Sequence, residues 1–231
     1  MASKLIIFDC DGVLVDSESL GNNVFSEMLA IYGHRNSGDD LEDRFRGMKL
    51  TKCIEILERE TGIELPESFE VDLRQRMSSV FQAKLRPVEG ALRLVESLRI
   101  PFCVASSGPR KKIEENLQIT NLYPHFVDKI FSAYEFNSWK PDPGLFLSAA
   151  KHFKVAPKDC VVIEDSVVGV SAGIAANMTV LALNAAVDDR SLSLANKVFG
   201  SLDDIHEFFV SQNLSREQKK PQQNAGAFDR T

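Results

Sequence analysis

Two carboxylates two residues apart, Asp9 and Asp11, stand at the end of an apolar run (Leu5, Ile6, Ile7, Phe8) and are followed at once by Gly12. In an extended backbone residues two apart share a face, so both acids set out in the same direction. Such a pair repels itself at neutral pH unless a cation or a shared proton relieves it. The chemistry it points to is metal binding. Asp and Gly are also ordinary turn residues, and taken alone the segment reads equally as a loop.

Three more polar clusters follow apolar runs further along the chain: Ser106, Ser107 and Gly108; Lys140 before Pro141; and Glu164 with Asp165. Each supplies a different requirement of phosphoryl transfer. A bound Mg²⁺ needs hard oxygen ligands, which Asp9, Asp165 and a backbone carbonyl after Asp9 would provide. A phosphate needs hydroxyl and N–H donors, and a helix N-terminus after the Ser-Ser-Gly turn offers them with a favourable dipole. Lys140 adds a point charge. Singly, Ser106 reads as a cap for the next helix, Lys140 as solvated, and Glu164-Asp165 as another cap. Their coincidence in one chain is harder to explain that way.

These residues must be brought together by the elements between them. Residues 5–8 are too short a run for a helix and read as a buried strand. Residues 18–32 carry Leu20, Val24, Phe25, Met28 and Leu29 at helical spacing, closed by Gly33. The stretch 38–49 reads as polar and irregular. Thr51 offers an N-cap for a short helix ending near Gly62, and Pro66 opens a longer one with Phe69, Leu73, Met77 and Phe81 near one face. From Pro87 strands (102–105, 129–133, 161–163, 179–183) alternate with helices (90–98, 109–117, 143–153, 166–177). Alternation of this kind predicts an α/β fold: a Rossmann-like parallel sheet with helices on both faces and an inserted all-helical cap. The expected division is a catalytic core over 1–16 and 87–213, a cap over 17–86, and a polar, aperiodic tail over 214–231 that is expected to be disordered.

The chain has 231 residues, 44% apolar and 26% charged, with a net charge of −6. That is the composition of a globular protein with a proper core, and the charge argues against a nucleic-acid partner. No apolar stretch is long enough to span a membrane and no signal peptide precedes the first strand, so a cytoplasmic protein without membrane partners is expected. Cys10, Cys53, Cys103 and Cys160 lack metal or redox spacing and read as buried thiols, with Cys10 between the two acids the one candidate for oxidation. None of the four histidines adjoins a motif.

The segments FDCDGVLVDS (8–17), VASSG (104–108), WKPDP (139–143) and VIEDSVVGV (162–170), in this spacing and with a helical insertion after the first strand, resemble the haloacid dehalogenase-like hydrolases over residues 4–205. The similarity is to the helical-cap, β-phosphoglucomutase-like branch. It implies that Asp9 is a nucleophile forming an aspartyl-phosphate and that Asp11 protonates the leaving alkoxide and then activates water. It further implies that Ser106, Ser107, Gly108 and Lys140 hold the phosphoryl group, with Asp9, the Asp11 backbone carbonyl, Asp165 and Glu164 on the Mg²⁺ side. Dehalogenases of this family lack an acid at the place of Asp11 and the transport ATPases carry threonine there, so its retention favours a phosphatase or a phosphomutase. The mutases use a cap-side histidine just after the first motif, where this chain reads Glu18, Ser19, Leu20, Gly21, Asn22.

In the cap, Arg46, Gly47 and Lys49 suit an anionic substrate, or equally form a solvated basic turn. Together with the SSGP turn and the run 131–143, this segment resembles the sugar-phosphate phosphatases of the family. The resemblance implies a small phosphorylated metabolite, a sugar or sugar-acid phosphate with 6-phosphogluconate among the candidates; the chain is expected to be a monomer or weak homodimer. A phosphomutase and a non-catalytic phosphometabolite-binding protein remain the alternatives.

Overall fold

The apolar run that opens the chain becomes a central strand of the sheet. The computed structural model describes residues 3–35, 37–183 and 192–214. Strand β1 (Leu5–Phe8) is buried at every position, as a parallel strand covered on both faces must be. Its side chains alternate: Leu5 and Ile7 join one apolar cluster, Ile6 and Phe8 the other. Strands β2 (Phe102–Ser106), β3 (Ile130–Ser132), β4 (Cys160–Glu164), β5 (Thr179–Leu183) and β6 (Lys197–Phe199) complete a six-stranded sheet in the order β3-β2-β1-β4-β5-β6. Every pairing is parallel. The chain runs outward from β1 through β2 to β3 and then returns to β4 on the other side of β1. Open sheets hold ligands beyond the carboxyl ends of their strands at such a reversal.

Between β1 and β2 the chain forms α1 (Glu18–Ile31), α2 (Gly38–Phe45), α3 (Leu50–Thr61) and α4 (Phe69–Lys84). These helices bury Val24, Phe25, Leu41, Leu57 and Leu73 in a cluster of their own and constitute the helical cap. The strands of chain that lead in and out of it lie side by side: Asp16 N–H donates to the Arg86 carbonyl and Val88 N–H to the Leu14 carbonyl, each at 3.0 Å. Then follow α5 (Ala91–Ser97), α6 (Arg110–Ile119), the single turns α7 (Tyr123–Phe126) and α8 (Ala133–Phe136), α9 (Gly144–His152), α10 (Val167–Ala175) and α11 (Leu202–Ser211). Leu94 of α5, Ile113 of α6 and Phe209 of α11 pack on one face of the sheet, and Phe146 of α9 and Val170 of α10 on the other.

The stretch expected to be irregular, 38–49, holds α2. Ser37 and Asp40 form a reciprocal capping box at its start, each side chain bonding the other's N–H, and Leu41 and Phe45, four apart, bury on the cap cluster. Helix α3 starts one residue before Thr51, with Lys49 at its N-cap position and no side-chain cap. Helix α4 starts at Phe69, three residues after Pro66. Residue 133, expected in a strand, begins α8, because Ser132 caps that turn by accepting from Tyr134 N–H. Strand β6 and helix α11 were not anticipated. Of the segment 214–231, only Leu214 lies within the described residues; it is buried, and Arg99 N–H donates to its carbonyl at 2.8 Å. All four cysteines are free and buried.

Candidate active site

Asp9 is the first residue past β1, and its N–H still continues the ladder by donating to the Ile163 carbonyl at 2.9 Å. The chain then turns at Gly12, whose φ is +79°. A Cβ there would sit 2.1 Å from Asp165 Oδ2, so only glycine lets this turn lie against the end of β4. The turn closes on itself through Gly12 N–H to the Val15 carbonyl and Leu14 N–H to the Cys10 carbonyl, both 2.9 Å.

The two acids of the opening motif acquire different partners. Asp9 accepts from Lys140 Nζ at 2.5 Å, and the same ammonium donates to Glu164 Oε1. The other Glu164 oxygen accepts from Asp165 N–H and Ser166 N–H at 3.0 Å and from the Ser166 hydroxyl at 2.9 Å. Glu164 is thus fully engaged in holding Lys140 and the turn into α10. Asp9, Glu164 and Asp165 are all buried and each offers an oxygen within 4.8 Å of the others. Asp11, by contrast, accepts from Ser17 Oγ at 2.5 Å and from Lys112 Nζ at 2.8 and 2.9 Å.

Their proton affinities separate accordingly. Burial, reinforced by Glu164 and Asp11 and only partly offset by Lys140, pushes the Asp9 carboxyl up to about 7. Burial and the nearby Glu18, Glu164 and Asp9 raise Asp165 well above the usual carboxylate range, with Arg46 opposing. For Asp11, burial is outweighed by the charge and hydrogen bonds of Lys112 and by Ser17, which together lower it. Lys140, despite its burial, is raised by Asp9 and Glu164 and stays an ammonium. Three buried carboxyl groups beside one ammonium present oxygen donors alone, and the protons held on Asp9 and Asp165 are what a bound cation would displace. That donor set fits a hard divalent cation.

Beside this cluster, β2 delivers Ser106, which is buried, and Gly108 N–H donates to its hydroxyl at 3.1 Å. Ser132 Oγ donates to the Gly108 carbonyl at 2.7 Å and fixes the turn. The Ser107 hydroxyl is buried with no hydrogen-bond partner among the described residues. Asp9, Asp11, Ser106, Ser107, Gly108 and Lys140 all line one cavity of about 700 Å³ beneath the cap.

The expected cap residues line the same cavity from above. Arg46 pairs with Glu18 at 2.9 Å and with Glu42, and reaches Asp165 Oδ2 at 3.7 Å. Gly47 has φ +76°, and a Cβ would meet Ser166 Oγ at 2.5 Å, so cap and core touch backbone-close there. The Lys49 ammonium lies 3.8 Å from the centre of the Trp139 ring and 5.6 Å from that of Tyr134. All the residues singled out in the sequence therefore converge on one place. Lys112, Ser17, Glu18 and the Tyr134–Trp139 pair were missed. Trp139 stands inside the WKPDP segment and Ser17 closes FDCDGVLVDS, so both were within reach, whereas a lysine on the first turns of a polar helix gives no sign of the acid it meets.

A ring of buried carboxylates about one lysine, at the reversal point of a parallel sheet and under a helical cap, is the layout of an α/β enzyme that pairs a metal with an anionic substrate. A family model described as haloacid dehalogenase-like hydrolase matches residues 3–177, and the chain belongs to that family. It is 36% identical over 178 residues to 6-phosphogluconate phosphatase of Escherichia coli, covering 77% of this chain and 80% of that one. It is 32% identical over 179 residues to a phosphorylated carbohydrates phosphatase of Thermotoga maritima, covering 76% and 82%. Among solved structures, a haloacid dehalogenase-like protein of unknown function from Agrobacterium tumefaciens superposes with a TM-score of 0.80 at 30% identity, over 92% of this chain and all of that one. No helix among the described residues is long and apolar enough to cross a membrane.

Proposed function

We infer that the protein is a Mg²⁺-dependent phosphatase of small phosphorylated metabolites, sugar or sugar-acid phosphates, working through an aspartyl-phosphate on Asp9. The observation that carries this reading is the separation of the two acids. Asp9 is tied to Lys140 and faces Asp165, while Asp11 is held apart by Ser17 and Lys112. A nucleophile and an acid–base group need those different surroundings.

Asp9, Asp165 and the Asp11 backbone carbonyl, with Glu164 beside them, would hold the metal, whose charge offsets that of the transferring phosphoryl oxygens. Ser106, Lys140 and the free Ser107 hydroxyl would bind those oxygens. One Asp9 carboxylate oxygen attacks phosphorus, the bond to the substrate oxygen breaks, and that oxygen takes a proton through Asp11 from the Lys112 ammonium hydrogen-bonded to it. The same Asp11–Lys112 pair regains the proton from water as the water oxygen attacks phosphorus, and the Asp9–phosphorus bond breaks to release inorganic phosphate. Arg46, Gly47 and Lys49 would contact the leaving group from the cap.

Phosphate release from a panel of sugar phosphates, sugar-acid phosphates, glycolate phosphate and nucleotides, with Mg²⁺ and with EDTA, tests this. Release should require the metal and fall by about 10²- to 10⁴-fold in Asp11→Asn, the usual contribution of a general acid. Isomerised sugar phosphate in place of free phosphate would establish the mutase instead. Tight binding without turnover at any Mg²⁺ concentration would establish a binding protein.

A further inference from the structure

Six cationic side chains line the cavity: Arg46, Lys49, Arg74, Lys111, Lys112 and Lys140. Five of them are neutralised by carboxylates. Arg46 pairs with Glu18 and Glu42, Arg74 with Glu70, Lys111 with Glu115, Lys112 with Asp11, and Lys140 with Asp9 and Glu164. Among the described residues, Lys49 is the one lining cation without a carboxylate within 4.0 Å, and what it rests on is the face of Trp139. An aromatic face holds an ammonium in place without cancelling its charge.

The support is itself built. The Trp139 and Tyr134 rings meet edge to face, with centroids 5.2 Å apart and planes at 80°. Arg74 of α4 donates to the Tyr134 hydroxyl at 3.0 Å, so the aromatic pair is braced from the cap side. Trp139 directly precedes Lys140 in the chain. The aromatic seat and the lysine on Asp9 therefore belong to one short loop, and both border the same cavity.

We propose that Lys49, carried on Trp139 and Tyr134, is the seat for a second anionic group on the substrate, a carboxylate remote from the phosphate, and thereby selects phosphorylated sugar acids over neutral sugar phosphates. This rests on the phosphatase reading of the same cavity and narrows its substrate class. Lys49 touches the ligand, and Trp139 and Tyr134 are positioning residues. A substrate carboxylate displaces nothing charged when it binds, since Lys49 has no acid to surrender, whereas the charge of each of the other five is already met by a carboxylate.

The test compares 6-phosphogluconate with glucitol 6-phosphate, an open-chain phosphate of the same length that carries a hydroxyl in place of the acid. The ratio of their kcat/KM values should favour the acid at least tenfold and should collapse by at least tenfold in Lys49→Met, chiefly through KM for the acid. Lys49→Arg, which keeps a cation on the ring, should restore most of the ratio. Trp139 is the single tryptophan of the chain, so its fluorescence gives a second readout that needs no turnover. In Asp9→Asn, 6-phosphogluconate should shift the emission saturably, and adding Lys49→Met should abolish that shift. Equal losses for both substrates in Lys49→Met, or a fluorescence response indifferent to Lys49, would overturn the proposal. If the wild-type chain releases phosphate from neither compound while the Lys49-dependent fluorescence response persists, the seat stands and the phosphatase reading falls.

Discussion

Lys112 separates the surroundings of Asp9 and Asp11. It supplies two of the three hydrogen bonds to the Asp11 carboxylate and bridges 101 positions of sequence to do so. A hydrogen bond to a charged group contributes about 1.5–3 kcal/mol. Lys112→Met should therefore lower kcat/KM by roughly 10- to 100-fold, with Lys112→Arg recovering part of it, as steady-state phosphate release would show. Asp9, Asp11, Lys140, Glu164 and Asp165 were legible in the sequence because acids and lysines at strand ends, in a fixed order, have few other uses. Lys112 was not. Helix α6 is polar, with Arg110, Lys111, Glu114 and Glu115 around it, and a lysine in that company reads as solvated until the strand order places α6 beside Asp11. The partition of the cap cations into paired and unpaired was largely out of reach, because Glu18 lies far along the chain from Arg46 and Trp139 far from Lys49, only Glu42 being a neighbour of Arg46 in the same helix turn.

Among the elements, the turn between α2 and α3 has little freedom. Gly47 has a left-handed backbone and no room for a Cβ against Ser166 and Val168. Gly47→Ala should leave the helices intact, cost about 1–2 kcal/mol from the backbone conformation, and lower kcat/KM by about tenfold or more as the cap lifts from α10. Thermal unfolding and steady-state kinetics on one preparation would separate the two effects. Helix α11 makes the opposite case, one of packing alone. Phe209 is wholly buried against the sheet, and Phe209→Ala should cost about 3–5 kcal/mol, visible in denaturant unfolding, with kcat/KM little altered in the molecules that remain folded. The strongly periodic helices and the apolar strands of the core were evident from pattern. Helix α2 was obscured because its charged residues outnumber the two that bury, and β6 because two of its three positions are exposed, which leaves no apolar run to notice.

For the whole molecule, the buried acids make stability depend on pH and on metal together. The Asp9 carboxyl is raised to about 7 and that of Glu18, by burial with Arg46 opposing, to about 8. Between the ordinary carboxylate range and those values the folded chain holds protons that the unfolded chain has lost. Stability conferred by these groups is therefore complete at low pH and falls as pH rises towards 8, by up to about 1.4 kcal/mol per pH unit for each group. Metal-free protein in EDTA should accordingly melt at a lower temperature at pH 8 than at pH 5.5. Added Mg²⁺ should recover more at pH 8, because it competes there with fewer protons. Calorimetry at the two pH values, with and without the ion, checks both signs.

The four cysteines add a property of the molecule that has nothing to do with turnover. Each is buried, and burial raises every one of the thiols, Cys10 furthest from reach because Asp11 and Asp9 also oppose a thiolate beside them. A thiol that neither ionises nor meets solvent is inert to alkylating agents and peroxide, so the expectation that Cys10 is prone to oxidation gives way. Reagent can reach Cys10, Cys103 and Cys160 only when the chain opens, whereas Cys53 also borders the cavity. With one thiol in the cap cluster and three around the sheet, timed alkylation followed by mass analysis becomes a clock for each layer, Cys53 reporting access through the cavity and cap and the other three the opening of the sheet.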